Sequence, residues 1–84
     1  MDDLKILRTK IDFLDDQLME LLEKRFVLSE EIGTLKAKQG VGITHKNRED
    51  AILFKANKFQ SVTQIQAIYE EIFRQSKKLQ EEKL

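Results

Sequence analysis

The sequence contains no cysteine, no proline and no tryptophan, and it has only three glycines and one histidine. Without cysteine there is no disulfide framework, no thiolate nucleophile and no cysteine-based zinc or iron–sulfur site. A single histidine excludes a multi-histidine metal site within one chain, so we expect no metal. The 15 basic and 15 acidic residues give a formal net charge of zero. This balance argues against a broad positive surface for nucleic acid or an acidic membrane.

Long hydrophobic runs are also absent. The longest, residues 51–54, is far shorter than the ~18 apolar residues that a membrane-spanning helix needs. Acids at Asp2 and Asp3 argue against a secretory signal, so we expect a cytoplasmic protein that does not bind membranes. The 84 residues suffice for one small domain, which is marginal alone without disulfides or metals. Oligomerisation is the remaining source of stability.

Hydrophobic residues recur with heptad spacing through the first half of the chain, which predicts one long helix over about residues 3–38. Its length would be ~54 Å, whereas a compact chain of this size has a radius of gyration of ~12 Å. We therefore expect a second chain to cover the apolar seam. The two seam series are Leu4, Ile11, Leu18, Arg25 and Ile32, and Leu7, Leu14, Leu21, Leu28 and Leu35.

Capping signals predict where the helices begin and end. Asp2 or Asp3 can cap the first helix, and Gly40 can end it in the left-handed conformation. Thr44 or Asn47 can cap a second, short helix over about residues 46–57.

A third helix is expected over about residues 62–82, where Ser61 and Gln64 have the spacing of a capping box. No stretch alternates apolar and polar residues for long enough to predict a strand. The expected fold is therefore all-α, with three helices (long–short–long) in a single domain, residues 1–84. The inward face of the third helix is expected to hold Ile65, Ile68, Tyr69, Ile72, Phe73 and Leu79.

Arg25 interrupts the apolar seam of the first helix. A buried guanidinium is costly unless it is paired, so two interpretations remain open. In the first, Arg25 has a structural role: it sets the register of a coiled coil, extends its charged end to water, or pairs with a buried acid. In the second, Arg25 forms part of an anion site inside the helical bundle. Lys36 lies eleven residues later on nearly the same side, ~16 Å away, so both side chains can reach one small anion. Taken on its own, the position of Lys36 favours a solvated surface lysine over a site residue.

Arg8 lies ~25 Å from Arg25 along the same helix and cannot reach the same small ligand within one chain. In an antiparallel pair of first helices centred near residue 20, Arg8 falls opposite Gly33, between Arg25 and Lys36. A symmetric dimer would thus place three cations from two chains around each of two pockets. Gly33 would permit close approach of a ligand or a helix. Alternatively, Arg8 is a surface residue paired with Asp12.

Neutral polar groups complete the candidate site. Ser76 and Gln80 lie one turn apart and continue the inward face of the third helix, and Arg48-Glu49 adds a donor and an acceptor. Cations, one carboxylate, one amide and one hydroxyl suit a small dianion held by hydrogen-bond donors. Such a site supports simple anion binding, or a reaction that needs orientation and electrostatics rather than covalent catalysis.

This arrangement resembles the all-α chorismate mutase family over nearly the whole chain. Residues 7–15 are similar to the family's opening segment, and its pattern continues through Arg25, Ile32-Gly33 and Lys36. Arg48-Glu49 resembles the motif of the second helix, and Ser76 with Gln80 that of the third.

The resemblance implies an intertwined antiparallel helical homodimer with two active sites. It implies conversion of chorismate to prephenate, a Claisen-type rearrangement on the route to phenylalanine and tyrosine, without a cofactor. Arg25 and Arg8 of the partner subunit would clamp the two substrate carboxylates.

The resemblance also implies roles for the remaining residues. Lys36 and Gln80 would donate to the ether oxygen, where negative charge develops. Glu49 would accept from the ring hydroxyl, Arg48 would support the pocket, and Ser76 would contact a carboxylate.

His45 and Lys46 depart from the family, which often has Asp-Pro there. The same fold also hosts isochorismate pyruvate-lyase and aminodeoxychorismate mutase activities, and Glu49 modestly favours chorismate among these substrates. A non-enzymatic antiparallel coiled-coil dimerisation module would explain the heptads. It gives no reason for the polar residues to converge.

Overall fold

The computed structural model describes residues 2–42 and 45–84, and within these ranges it contains helices and no strand. The α-helices are α1 (Asp3–Gln39), α2 (Lys46–Lys55) and α3 (Val62–Glu81). The expected all-α class with three helices is confirmed. The second helix is shorter than expected, because a separate 3-10 helix, Ala56–Lys58, follows it.

Both ends of α1 form as the sequence signals predicted. The Asp2 side chain accepts a hydrogen bond from the backbone N–H of Leu4 at 3.0 Å. Gly40 has φ 71° and ψ 23°, and its N–H donates to the carbonyl of Lys36. That left-handed conformation is accessible to glycine at little steric cost, so it ends the 37-residue helix cleanly.

The predicted caps of α2 and α3 are wrong or lie outside the described residues. His45 occupies the cap position of α2 without a side-chain capping bond, while Asn47 lies inside the helix and Thr44 is not described. Ser61 precedes α3 as expected, but its side chain makes no capping bond, so the capping box with Gln64 does not form. The ψ of Ser61 is 40°, far from the extended geometry in which a hydroxyl reaches the first helical amides.

Helix α3 packs along the C-terminal half of α1, and α2 packs on α3. Arg25 contacts Ser76, and Gly33 lies against Gln80, so the two long helices run in the same direction. A hydrogen bond of 3.0 Å from the Gln66 amide to the carbonyl of Leu53 joins α2 to α3. The small buried core draws mainly on α3 and consists of Ser29, Gly33, Ala56, Ile72, Phe73, Ser76 and Gln80.

Ile68 is a correction to the predicted inward face of α3. Its side chain is 59% exposed in the single chain, whereas Ile72 and Phe73 are buried. The buried stripe advances in steps of three and four residues from Tyr69, and Ile68 lies about 100° away from Tyr69 around the helix axis.

Gly33 allows two helices to approach closely. A Cβ at this position would lie 2.7 Å from the Cα and 3.1 Å from the carbonyl oxygen of Gln80. Of the two roles expected for Gly33, the structure therefore supports close helix packing.

Most of α1 extends beyond this core. The chain measures 59 × 24 × 14 Å with a radius of gyration of 16.3 Å. That exceeds the ~12 Å of a compact chain of the same length. Among the described residues, no helix combines the length and the apolar character required to cross a membrane. The large apolar residues that α1 leaves exposed are Leu4, Ile6, Leu7, Ile11, Phe13, Leu14, Leu18, Met19, Leu21, Val27, Leu28, Ile32 and Leu35.

Candidate functional site

A cavity of about 280 Å³ lies between the C-terminal half of α1, the start of α2 and the C-terminal half of α3. Its volume is near the ~300 Å³ lower end of the range for small-molecule sites. Six of the seven residues proposed from sequence border it: Arg25, Lys36, Arg48, Glu49, Ser76 and Gln80. Leu28, Ser29, Ile32, His45, Ile52, Phe73 and Lys77 complete the lining.

Arg25 is held by groups that leave its charge uncompensated. Its Nη1 donates to the Ser76 hydroxyl at 3.0 Å, and its guanidinium carbon lies 5.9 Å from the ring centroids of both Tyr69 and Phe73. No carboxylate of the described residues lies within ion-pair distance of it. A partly buried cation fixed by a hydroxyl and two aromatic faces is well suited to bind an anion.

Ser29 is a lining residue that sequence reasoning missed. Its side chain is buried, and its hydroxyl donates to the carbonyl of Arg25 at 3.1 Å. Its position four residues after Arg25 and seven before Lys36 was the available signal, because these spacings repeat on one helix face.

Lys36 and Gln80 form a second polar pair in the cavity. The Lys36 ammonium donates to the Gln80 Oε1 at 3.5 Å, and Gln80 is buried. Because its oxygen accepts from Lys36, the Gln80 amide keeps its NH₂ group as a further donor. The pair therefore offers an ammonium and an amide donor close to the same point.

Glu49 is paired with Lys77, which sequence reasoning also missed. The Lys77 ammonium lies 2.9 Å from the Glu49 Oε2, and their side chains are 31% and 18% exposed. The position of Lys77 on the cavity side of α3 could have been predicted from its spacing, because it lies four residues after Phe73 and three before Gln80, which are both buried. Among the described residues that line the cavity, four are cations, Arg25, Lys36, Arg48 and Lys77, and one is a carboxylate. The electrostatic potential there favours an anion.

The two departures from the family pattern have different environments. His45 borders the cavity, whereas Lys46 does not. The Lys46 ammonium lies 2.7 Å from the Asp50 Oδ1 within α2, and both side chains are exposed. This hydrogen bond, and then the charge of Asp50, raise the pKa of Lys46.

Arg8 is the one predicted site residue that the single chain does not bring to the cavity. It is exposed on α1, about 25 Å along the helix axis from Arg25. No ion pair joins it to Asp12 in the described part of the chain. The surface pairing considered for Arg8 is therefore absent from this structure.

The fold is an all-α domain whose three helices enclose a cavity lined by more cationic than anionic side chains. The model of the chorismate mutase type II family matches residues 7–81, nearly the whole chain. The chain therefore belongs to the type II chorismate mutase family, which confirms the resemblance inferred from its residues. No match to an individual curated protein accompanies this finding.

Proposed function

We propose that this protein is a chorismate mutase, an isomerase that rearranges chorismate to prephenate. The observation that carries the proposal is one cavity, bordered by Arg25, Lys36, Glu49 and Gln80 from three helices, in a chain of this family. The reaction breaks one C–O bond and forms one C–C bond within the same molecule, without exchange of protons or electrons. It needs positioning and charge stabilisation, which the lining groups are suited to supply.

Arg25 is the proposed clamp for one substrate carboxylate. Its hydrogen bond to Ser76 and its contacts with two rings fix the guanidinium before substrate arrives. A carboxylate bound by Arg25 would also lie within reach of the Ser76 hydroxyl. Fixing the carboxylates of chorismate holds the flexible side chain over the ring in the reactive conformation. The substrate therefore loses much of its conformational entropy on binding and not in the chemical step.

Lys36 and Gln80 are the proposed donors to the ether oxygen. Negative charge grows on this oxygen as the C–O bond breaks, so both donors stabilise the transition state more than the ground state. Glu49 accepts from the ring hydroxyl, and Arg48 adds positive potential beside it.

The second carboxylate requires a second chain in this proposal. Arg8 and a line of exposed apolar side chains occupy the part of α1 that extends past the core. An antiparallel copy of α1 would cover this line and bring Arg8 of the partner subunit opposite Gly33, beside the cavity. The functional unit is then an intertwined homodimer with two shared sites.

The direct test is to incubate the purified protein with chorismate, follow substrate loss by absorbance and identify the product by chromatography. Prephenate is the expected product. Pyruvate release from isochorismate without prephenate formation from chorismate would instead indicate the lyase activity, and a protein inactive on both would contradict the proposal. Arg25→Ala should lower kcat/KM by at least ~10²-fold. Arg74→Ala is the matched control, because Arg74 is exposed, pairs with Glu71 and lies outside the cavity.

A mixing experiment tests the shared site. Arg8→Ala and Arg25→Ala homodimers each have both sites broken, whereas a mixed dimer has one intact site. After subunit exchange at equal concentrations, about a quarter of wild-type activity should return, since half of the dimers are mixed. Continued inactivity of a mixture shown to contain mixed dimers would contradict supply of Arg8 across the interface. A sedimentation mass of one chain would contradict the dimer itself.

A further inference from the structure

The ion pair between Lys77 and Glu49 links α3 to α2 at the cavity. Among the described residues it is the only ion pair whose two members both border the cavity. Two of the other ion pairs lie within single helices, and the one between Lys83 and Glu30 lies outside the cavity. Glu49 is mostly buried, and among the described residues its carboxylate forms no other ion pair.

Among the described residues, no side-chain hydrogen bond other than the Lys77–Glu49 contact links this end of α2 to another helix. Its first turn has no side-chain cap at His45, and the hydrogen bond from Gln66 to the carbonyl of Leu53 lies at the opposite end. Glu49 lies in that first turn. Without Lys77, the carboxylate would be free to turn toward water, and the start of α2 would lose its ionic link to α3.

We propose that Lys77 is a positioning residue that orients the Glu49 carboxylate. It also compensates the negative charge of Glu49, which would otherwise repel a dianionic substrate. This inference rests on the proposed function, in which Glu49 accepts from the ring hydroxyl. One Glu49 oxygen binds Lys77, and the remaining acceptor capacity of the carboxylate serves the hydroxyl. An unpaired carboxylate here would repel the substrate carboxylates, so Lys77 permits an acceptor inside an anion site.

The expected kinetic effect is on binding. The ring hydroxyl does not take part in the bond changes, so its contact with Glu49 is about equally strong in the ground state and the transition state. Lys77→Met should therefore raise KM about three- to tenfold, as expected for a charged hydrogen bond that is partly exposed, and leave kcat within about twofold. Lys77→Arg keeps the charge and should return KM to within about twofold of wild type.

The experiment compares steady-state kinetics of wild type, Lys77→Met, Lys77→Arg, Glu49→Gln and the double variant Lys77→Met/Glu49→Gln. If Lys77 acts through Glu49, the double variant has the same KM as Glu49→Gln alone. Lys78→Met is the matched control: it removes a neighbouring cation of α3 that does not border the cavity, and should leave KM unchanged. Circular dichroism establishes that each variant retains its helical content.

Three results would overturn the inference while the proposed function stands. These are an unchanged KM in Lys77→Met, a loss in kcat alone, and a further rise in KM when Lys77→Met is added to Glu49→Gln. The last would mean that Lys77 contacts the substrate itself. A wild-type protein that forms no prephenate would overturn the proposed function, and this inference with it.

Discussion

Replacing Gly33 with alanine tests the packing on which the cavity depends. The added Cβ would lie 2.7 Å from the Gln80 Cα, 3.1 Å from its carbonyl oxygen and 3.2 Å from its Cβ. Carbon atoms pack without repulsion at ~3.5 Å or more, so α1 and α3 must separate by about 0.8 Å at this point. Two of these three atoms belong to the backbone of α3, so the helix itself has to move.

Two effects of opposite sign determine the stability of Gly33→Ala. Alanine in place of glycine inside a helix stabilises it by about 1 kcal/mol. Forcing an extra methyl group into a closed contact costs about 1–3 kcal/mol, and a backbone contact places this case at the upper end of that range. We therefore expect a net loss of about 1–2 kcal/mol in the free energy of unfolding.

Urea unfolding followed by circular dichroism measures this loss. Wild type and variant should be compared at the same protein concentration, because association would contribute to stability. Gly42→Ala is the control, since a Cβ there meets no atom of the described residues within 4 Å and the midpoint should hardly change. Turnover should also fall at least about tenfold, because the 3.5 Å Lys36–Gln80 bond is already at the limit for hydrogen bonding. A variant as stable as wild type, or about 1 kcal/mol more stable, would refute the proposed helix contact.

Three smaller predictions concern helix ends. Gly40→Ala should cost about 1–2 kcal/mol in urea unfolding, because a side chain is strained at φ 71°; an unchanged midpoint would contradict this. His45→Asn should add about 0.5–1 kcal/mol by supplying the side-chain cap that α2 lacks; a lower melting temperature would count against it. Lys46→Ala should change the melting temperature only slightly. The raised pKa of Lys46 means that its pair with Asp50 stabilises the fold below the ordinary lysine pKa. The difference in melting temperature between wild type and Lys46→Ala should disappear as the pH rises through the raised pKa of Lys46. A difference that grew with pH would contradict the stabilising role of the Lys46–Asp50 pair.

Helical periodicity was sufficient to predict several features that lie within one helix, although it placed Ile68 on the wrong face of α3. Arg25 and Lys36 were expected on nearly the same side of α1 from an eleven-residue spacing, and both border the cavity. Ser76 and Gln80 were expected to continue the inward face of α3, and both are buried. In each case, 3.6 residues per turn convert a spacing into a direction.

Individual side-chain pairs between different helices were not predicted from the sequence. The Lys77–Glu49 pair requires the position of α2 over α3, which no spacing within a helix encodes. The capping box failed for a different reason. The Ser-x-x-Gln spacing predicts the capping bond only if Ser61 has an extended backbone, and its ψ of 40° does not meet that condition.

The exposed seam of α1 and the cavity are adjacent, which would connect the proposed dimerisation to the site. Leu28 and Ile32 belong to the heptad seam, are 57% and 43% exposed, and also line the cavity. The side of α1 against α3 instead buries the small residues Ser29 and Gly33. A second chain that covered the seam would therefore also border the cavity along these two side chains. In the proposed dimer, the apolar surface that drives association and the arginine that completes the site are then on the same helix, α1, so loss of the dimer should mean loss of the reaction.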